Sequence, residues 1–236
     1  DAGRVEAQTF FIMQEKKLLI PIAIIFTMAL LVSNTVASKI IGIGSFVFTG
    51  GIIIFPISYI FGDVLTEVYG YKESRKVIWS GFVALALMSL FYFLVGLLPS
   101  ASFWNGNDAY NTILGMTPRI VLASIVAYFV GEFSNSYVLS KMKIWTKGKK
   151  LWIRTISSTV VGEGIDSFIF GFIAFAGLFK ISELLLIIVS GYIFKVLYEI
   201  LATPITYFII SKVKKIEGID TYDHNIKYNI FDLLEK

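Results

Sequence analysis

The sequence of 236 residues contains no cysteine, a single histidine and few charged residues for its length. Without cysteine the chain can form no disulfide and no thiolate metal site. Charged residues make up 16% of the chain and apolar residues 56%, whereas a soluble domain has about 25% and about 45–50% respectively. Too little charge is present to coat a soluble domain of this size, and the high apolar content excludes a disordered chain.

Signatures of catalysis are also missing. The single histidine, His224, lies in the polar C-terminal part, and the sequence has neither a Gly-rich phosphate-binding loop nor a His cluster for zinc. We therefore expect no enzyme activity, no cofactor and no metal site. An intramembrane enzyme that uses carboxylates is the alternative from another class, but no nucleophile or metal motif supports it.

Long uncharged runs are what the sequence does contain. The runs 18–38, 40–62 and 77–107 hold no charged residue. A helix needs roughly 20 apolar residues to cross about 30 Å of hydrocarbon. These runs, and three more that include one or two charges each, predict an all-α integral membrane protein. Its six-transmembrane-helix bundle is expected to have spans at about 18–38, 46–70, 77–98, 118–140, 155–179 and 184–211.

Basic residues predict the orientation of this bundle. Of the 21 Lys and Arg residues, 17 lie before span one, between spans two and three, between spans four and five, or after span six. Because cytoplasmic loops carry the excess of Lys and Arg, we expect the N-terminus and the C-terminus to be cytoplasmic. The basic surplus is then a topology signal and a contact for anionic lipid, not a nucleic-acid footprint. The other basic residues are Lys39, Arg119, Lys180 and, inside span six, Lys195.

The predicted organisation has three parts. Residues 1–17 form a cytoplasmic N-terminal segment, and residues 1–7 are a candidate expression remnant because the chain starts at Asp1 without Met. Residues 18–211 form the six-helix transmembrane domain. Residues 212–236 form a polar cytoplasmic tail.

Carboxylates inside the predicted spans are the most informative residues. Acids and amides recur at spacings of three and four, which place each set on one helix face. A charged residue at the bilayer centre costs about 2.5–3.5 kcal/mol on insertion scales, so these side chains are expected to face one another or a wet cavity. They are Asp63 and Glu67 in span two, Glu132 and Asn135 in span four, Glu163 and Asp166 in span five, and Lys195 and Glu199 in span six.

Two interpretations of these polar side chains are open. They can hold helices together without any ligand, because ion pairs and amide–carboxylate bonds stabilise helix packing. However, the spans contain six acids and one clearly internal cation, Lys195. The surplus of acceptors suits a proton or a small molecule rich in N–H donors. Asn34 in span one could bond to such a molecule, and Trp79 offers a ring face for stacking.

A short motif recurs in two of the predicted spans. Gly131-Glu132-x-x-Asn135-Ser136 in span four matches Gly162-Glu163-x-x-Asp166-Ser167 in span five. In each copy the glycine allows a neighbouring backbone to approach, and the polar side chains project one turn along. The repeat is consistent with duplicated helices, which transporters often contain.

A stripe of small residues runs along span one. Ala29, Ser33 and Ala37 follow one another at spacings of four, and small residues allow helices to touch closely. The stripe is either an internal packing face or a docking face for a partner subunit, and the sequence leaves both interpretations open.

Three segments carry motifs of a known family. They are 61–70 (FGDVLTEVYG) at the end of span two with 75–79 (RKVIW) shortly after it, 33–39 (SNTVASK) in span one, and 154–167 (RTISSTVVGEGIDS) in span five. Together they resemble the queuosine-precursor transporters, a bacterial vitamin-uptake-transporter family. The resemblance runs from about residue 17 to residue 212, and its longest and most specific part is the motif of span two.

The resemblance implies a transporter in the bacterial inner membrane that brings 7-deazaguanines (preQ0, preQ1 or queuine) into the cell for tRNA modification. It also implies a fold similar to the substrate-binding subunits of energy-coupling-factor transporters, without a dedicated ATPase module. A carboxylate can accept both N1–H and the exocyclic amine of such a base. Glu67, Glu132 or Glu163 is expected to do this, with Asp63 and Asp166 as companions.

Other predicted contacts complete the expected site. Asn34, Asn135 or Lys195 is expected to donate a hydrogen bond to O6 of the base, and Trp79 or a Phe to cover its ring. The expected substrate-binding residues are Asn34, Asp63, Glu67, Trp79, Glu132, Asn135, Glu163, Asp166, Lys195 and Glu199.

The expected partners are a small deazapurine substrate and the lipid bilayer, with no nucleic acid. A homodimer is the first candidate assembly and an ATPase module the second. The alternative function is that of a substrate-binding subunit for a different vitamin-like heterocycle, which docks through the small-residue stripe on an energy-coupling-factor ATPase complex.

Overall fold

The computed structural model of the chain describes nearly all of the predicted transmembrane domain. The described residues are 16–44, 46–115, 118–177, 180–224, 226 and 228–230. Most of the predicted N-terminal segment 1–17 therefore lies outside the described residues, and so do Lys227, Lys236 and the side chain of Arg119.

Seven α-helices and one β-hairpin make up the regular structure of the described residues. Their order follows the apolar runs of the sequence. The helices are α1 Leu19–Val36, α2 Phe55–Val64, α3 Tyr71–Gly96, α4 Asn107–Ile113, α5 Pro118–Trp145, α6 Leu151–Phe175 and α7 Ile181–Glu217.

Four of the described helices are long and apolar enough to cross a membrane: α1, α3, α6 and α7. Helix α5 has 28 residues, which is about 42 Å at 1.5 Å per residue. A predominantly helical, multi-pass membrane protein is thereby confirmed. The number of crossings and the side on which the termini lie remain predictions.

The second predicted span, 46–70, was expected to be one helix, and its first third is not α-helical. Strand β1 Ile40–Ile43 pairs antiparallel with β2 Phe46–Thr49, with Ile40 opposite Thr49. This stretch is rich in Ile, Val and Phe, and these residues favour strands. A run without charges does not distinguish a helix from a strand, and this is why the sequence alone suggested one continuous span.

Helix α2 is short and changes its winding. It follows a 3-10 turn over Gly50–Ile53, spans ten residues, and continues as a five-residue π-helix, Leu65–Tyr69. Gly70, at φ +85°, joins the π-helix directly to α3, and glycine adopts this conformation without a Cβ clash. Single π-helical turns are frequent at functional sites, and this one carries Glu67.

Helices α5 and α6 cross at the two copies of the repeated motif. A Cβ on Gly131 would lie 2.7 Å from the Cβ of Asp166, and a Cβ on Gly162 would lie 2.7 Å from the Cβ of Asn135. Real Cβ atoms do not approach so closely, so both positions accept only glycine without a shift. The predicted approach of a neighbouring backbone to each glycine is confirmed, and in both cases the neighbour is the other copy of the motif.

The C-terminal segment, residues 218–230, is packed against the helices in its described part. Helix α7 extends to Glu217, beyond the predicted end at residue 211. The backbone N–H of Thr221 donates to the carbonyl of Val68 at 3.1 Å, and the indole of Trp79 donates to the carbonyl of Ile230 at 2.8 Å. The polar tail expected at 212–236 is thus in part the end of α7 and in part an ordered segment.

Candidate functional site

Two groups of buried charged side chains occur in the described residues, at different depths of the bundle. Arg154 belongs to one group and Asp166 to the other, and their separation of 12 positions on α6 corresponds to about 18 Å of helix. A cavity adjoins the group that contains Asp166.

This cavity, which we call the main cavity, has a volume of about 110 Å³. It lies among the C-terminal end of α1, strand β2, the first turn of α2, and parts of α5, α6 and α7. Its lining combines polar groups that can recognise a ligand with aromatic rings that can cover it. The polar ones include Asn34, Asp166 and Lys195, and the rings include Phe48, Phe55 and Phe170.

Lys195 is fixed at the wall of the main cavity by two carboxylates. Its Nζ lies 2.7 Å from Glu163 Oε2 and 2.8 Å from Asp166 Oδ2, and 4.5 Å from the ring centroid of Phe55. Within the described residues no group donates to the other carboxylate oxygen of Asp166. That oxygen is an acceptor available to a ligand in the main cavity.

Three further acids lie one helical turn deeper than the cavity lining. We call Asp63, Glu132 and Glu199 the acid layer. Glu132 follows the lining residue Tyr128 by four positions, and Glu199 follows Lys195 by four. All three are at most 3% exposed. Asp63 Oδ2, Glu132 Oε1 and Glu199 Oε1 have no hydrogen-bond partner within the described residues.

One contact within this region joins the repeated motif to α2. The amide of Asn135 donates to Asp63 Oδ1 at 3.1 Å, and a Cβ on Gly62 would lie 2.7 Å from Glu132 Oε1. Glycine at position 62 therefore allows α2 to pack directly on the carboxyl of Glu132.

The second ionic group surrounds Glu67, and we call its residues Glu67, Lys143, Arg154, Lys214 and Asp220 the Glu67 cluster. Arg154 donates to Glu67 Oε2. Lys214 Nζ lies 2.8 Å and Lys143 Nζ 3.5 Å from Glu67 Oε1. Both oxygens of this fully buried carboxylate are thus paired with cations.

Asp220 of the C-terminal segment closes the Glu67 cluster. Its Oδ1 lies 2.6 Å from Lys143 Nζ and 2.9 Å from Lys214 Nζ. Partial burial alone would raise the pKa of Asp220, but the hydrogen bonds from both lysines outweigh this and hold its pKa below the usual value.

The structure divides the ten predicted site residues into three groups. Asn34, Asp166 and Lys195 line the main cavity. Glu163 binds Lys195, Asn135 binds Asp63, and the acid layer lies next to them. The remaining two do not line the main cavity: they are Glu67, in the Glu67 cluster, and Trp79, against Phe82, Phe129 and Phe133.

Glu67 and Trp79 are bound by other parts of the chain, and their expected ligand contacts stay predictions. Glu67 follows Asp63 by one turn on α2, but this turn leads away from the main cavity and towards basic side chains from α5, α6 and α7. Trp79 donates its indole N–H to the C-terminal segment. The sequence could not show that basic side chains would bind Glu67 and that the C-terminal segment would bind Trp79.

Several lining residues were not predicted. Phe48 and Phe55 were not predicted, because an uncharged apolar run does not distinguish the hairpin and the short α2 from one continuous helix. Tyr128 had a usable signal: it precedes Glu132 by four, just as Tyr59 precedes Asp63, and this spacing places both side chains on one helix face.

The small-residue stripe of α1 faces the interior. Ala29 and Ser33 are at most 1% exposed, and a Cβ on Gly51 would lie 2.6 Å from the carbonyl oxygen of Ser33. Ala29 and Ser33 thus form a packing face, whereas Ala37 is half-buried and lines the main cavity. Docking of a partner subunit through this stripe stays a prediction.

Comparison with known proteins supplies a family. The model of the family described as “Putative vitamin uptake transporter” matches residues 49–209. A “Probable queuosine precursor transporter” of Bacillus subtilis (strain 168) is 34% identical over 146 residues, which are 61% of this chain and 64% of that relative. No solved structure matches the chain significantly.

Two further relatives bear the same kind of name. A “Queuosine precursor transporter” of Escherichia coli (strain K12) is 25% identical over 190 residues, covering 79% of this chain and 83% of the relative. A “Probable queuosine precursor transporter” of Haemophilus influenzae is 28% identical over 131 residues, covering 56% of this chain and 53% of the relative. The matched part thus spans less than two thirds of the Bacillus and Haemophilus relatives.

Proposed function

The chain belongs to the vitamin uptake transporter family, and on this premise we propose that it imports queuosine precursors as a stand-alone carrier. It is a multi-pass protein of the bacterial inner membrane. The proposed substrates are 7-deazaguanines such as preQ0, preQ1 or queuine, in keeping with the names of the three relatives.

The main cavity is the observation that carries this proposal. It brings an available carboxylate oxygen of Asp166, the amide of Asn34 and the ammonium of Lys195 to one space with aromatic walls. Asp166 accepts hydrogen bonds from N1–H and the exocyclic amine of the base. Asn34 or Lys195 donates to O6, and Phe170 or Phe48 covers the ring.

The proposal includes six crossings, with α2 and its π-helix as the short second one. The Lys and Arg excess places the Glu67 cluster on the cytoplasmic side, so the main cavity lies towards the outside, where substrate arrives. The chain has no cysteine, which makes this easy to test. A membrane-impermeant maleimide should label Ser100→Cys in intact cells and should label Lys149→Cys only after the membrane is opened. The opposite labelling pattern would contradict the orientation.

A binding titration of the purified protein tests the substrate. We expect saturable binding of at least one of preQ0, preQ1 and queuine, with guanine weaker. Hydrogen bonds to a charged group contribute about 1.5–3 kcal/mol, so Asp166→Asn should weaken binding by roughly tenfold to a hundredfold. The matched control Asp108→Asn, at an exposed position of α4, should bind like wild type. Binding of none of these bases to the folded wild-type protein would contradict the proposed function.

A further inference from the structure

Two carboxyl groups of the acid layer, Asp63 and Glu132, have no role in the substrate contacts proposed above. Both are at most 1% exposed, and each has one oxygen without a hydrogen-bond partner within the described residues. Neither lines either of the two cavities found around α1. A heterocycle in the main cavity does not reach them, so the ligand they bind must be very small.

Two tyrosine hydroxyls give an independent indication of such a ligand. The side chains of Tyr59 and Tyr128 are 3% exposed. Within the described residues the hydroxyl of Tyr128 has no hydrogen-bond partner, and the hydroxyl of Tyr59 lies towards Glu163 without a hydrogen bond of normal length. Both hydroxyls are close enough to Glu132 and Asp166 to interact electrostatically with them. A hydroxyl both donates and accepts a hydrogen bond, so it can pass a proton between two carboxyl groups. Tyr128 also lines the main cavity and connects it to Glu132 below.

The charges around Glu132 favour its protonated carboxyl group over the ionised carboxylate. One cation, Lys195, faces this region within the described residues, and it is held by Glu163 and Asp166. An isolated buried carboxylate is so costly that it takes up a proton instead of remaining charged. The titratable and polar groups around Glu132 and its neighbour Asp63 are Tyr59 on α2, Glu67 on the π-helix, Tyr128 and Asn135 on α5, Glu163 and Asp166 on α6, and Glu199 on α7, with Lys195 of α7 bound to Glu163 and Asp166.

We propose that Glu132, supported by Asp63, is a proton-binding site that couples substrate import to the proton gradient. The proposal rests on the proposed function. One proton enters from the main cavity by way of Tyr128 and binds Glu132 before substrate binds at Asp166. When the carrier opens on the other side, the substrate and this proton are both released to the cytoplasm. No covalent bond other than O–H is made or broken.

Transport by reconstituted protein tests the coupling. Proteoliposomes with the membrane potential clamped at zero are given radiolabelled preQ0, which carries no charge. A gradient of one pH unit, acidic outside, should drive accumulation up to about tenfold, because one pH unit corresponds to a factor of ten for one proton per substrate. Glu132→Gln should abolish this accumulation while exchange of internal for external preQ0 continues. The matched control Glu183→Gln, at an exposed position of α7, should accumulate preQ0 like wild type.

The other outcomes each overturn a specific claim. Exchange by the wild type without any effect of the pH gradient would overturn proton coupling and leave the proposed function standing. Accumulation by Glu132→Gln equal to wild type would overturn the assignment of Glu132. Accumulation driven by a Na⁺ gradient without a pH gradient would replace the proton by another cation. Absence of preQ0 binding and exchange in the wild type would overturn the coupling along with preQ0 as substrate.

Infrared spectroscopy tests the proton on Glu132 without any substrate. The spectrum of purified wild type at neutral pH should contain a carbonyl band of a protonated carboxyl group that is lost in Glu132→Gln. Circular dichroism and size-exclusion chromatography establish that the variant is folded, and Glu183→Gln should leave the band unchanged. An unchanged band in folded Glu132→Gln would overturn the proton-binding site whatever the transport assays show.

Discussion

The Glu67 cluster contrasts with the acids around Lys195, which are Glu163, Asp166 and the acid layer. Both groups consist of carboxylates and basic side chains, but they differ in how many of the carboxylate oxygens are paired with a cation. In the Glu67 cluster, three cations and the two acids Glu67 and Asp220 leave no oxygen of Glu67 unpaired. Around Lys195, the described residues place five acids near one cation, and several oxygens lack a partner. A carboxylate whose oxygens are both paired with cations has little capacity left for a ligand. A carboxylate with an unpaired oxygen can bind and release a ligand or a proton.

This contrast also explains why two acids one turn apart have different roles. Asp63 and Glu67 belong to the same motif, but basic side chains from α5, α6 and α7 reach only Glu67. The C-terminal segment then closes that end through Asp220. We therefore interpret the Glu67 cluster as the structural anchor of the bundle.

The largest expected effect is the loss of stability on breaking the Glu67 cluster. Glu67→Gln would leave Arg154, Lys143 and Lys214 buried or half-buried without their shared carboxylate. Removing one partner of a buried ion pair typically costs about 3–5 kcal/mol. We expect a clear fall in the thermal unfolding temperature in detergent, with Glu183→Gln as the exposed control. A loss below about 1 kcal/mol would show that the two regions do not differ as described.

The second expected effect is on binding at the main cavity. Lys195→Met removes a charged donor that bonds Glu163 and Asp166 and faces the ligand. A charged hydrogen bond contributes about 1.5–3 kcal/mol, so deazaguanine affinity should fall by roughly tenfold to a hundredfold. Stability should fall less than in Glu67→Gln, because the acids freed from Lys195 can take up protons. A variant with wild-type affinity but greatly reduced stability would reverse the contrast between the regions.

An intermediate effect is expected at the crossing of α5 and α6. Gly162→Ala would place a Cβ 2.7 Å from the Cβ of Asn135, and overpacking of this kind costs about 1–3 kcal/mol. Because Asn135 bonds Asp63, the displaced helix should disturb the acid layer. We therefore expect slower substrate exchange in addition to the loss of stability. Gly164→Ala on the same helix is the control, since its nearest neighbour would be 3.5 Å away. Equal behaviour of both variants would contradict the tight crossing.

The smallest expected effect is a pH dependence from Asp220. Its pKa is lowered in the folded protein, so its contribution to stability is present above the pKa of the unfolded chain and is lost as pH falls through the folded pKa. Wild type should therefore lose part of its stability in acid, and Asp220→Asn should lose less over the same interval. Thermal unfolding measured across acidic pH values gives this difference, and parallel curves for both proteins would contradict it.

Much of the fold could be predicted because the bilayer imposes simple requirements. Apolar runs long enough to cross hydrocarbon, uncharged for α1 and α3 and with two charges each for α6 and α7, correctly located these four helices. The same criterion did not reveal the hairpin and the 3-10 turn at residues 40–54, since apolar composition does not distinguish a helix from a strand. The repeated motif correctly predicted that a neighbouring backbone approaches each glycine, but only the structure shows that this neighbour is the other copy of the motif.

Part of the candidate site was also predictable. Asn34, Asp166 and Lys195 were expected to contact a ligand, and they line the main cavity. Glu67 and Trp79 were expected there for the same reasons and lie elsewhere. Spacing along one helix identifies residues that share a face, but it does not reveal which partners other elements bring to that face.

The sequence by itself determined that this chain crosses a membrane with acids in its interior, because the cost of placing charge in lipid admits few other arrangements. Only the tertiary structure decided which acids remain available. Glu67 is neutralised by cations contributed from distant helices, while Asp166 faces a cavity and Glu132 lies below it, since charge compensation depends on distances between side chains that are far apart in the sequence.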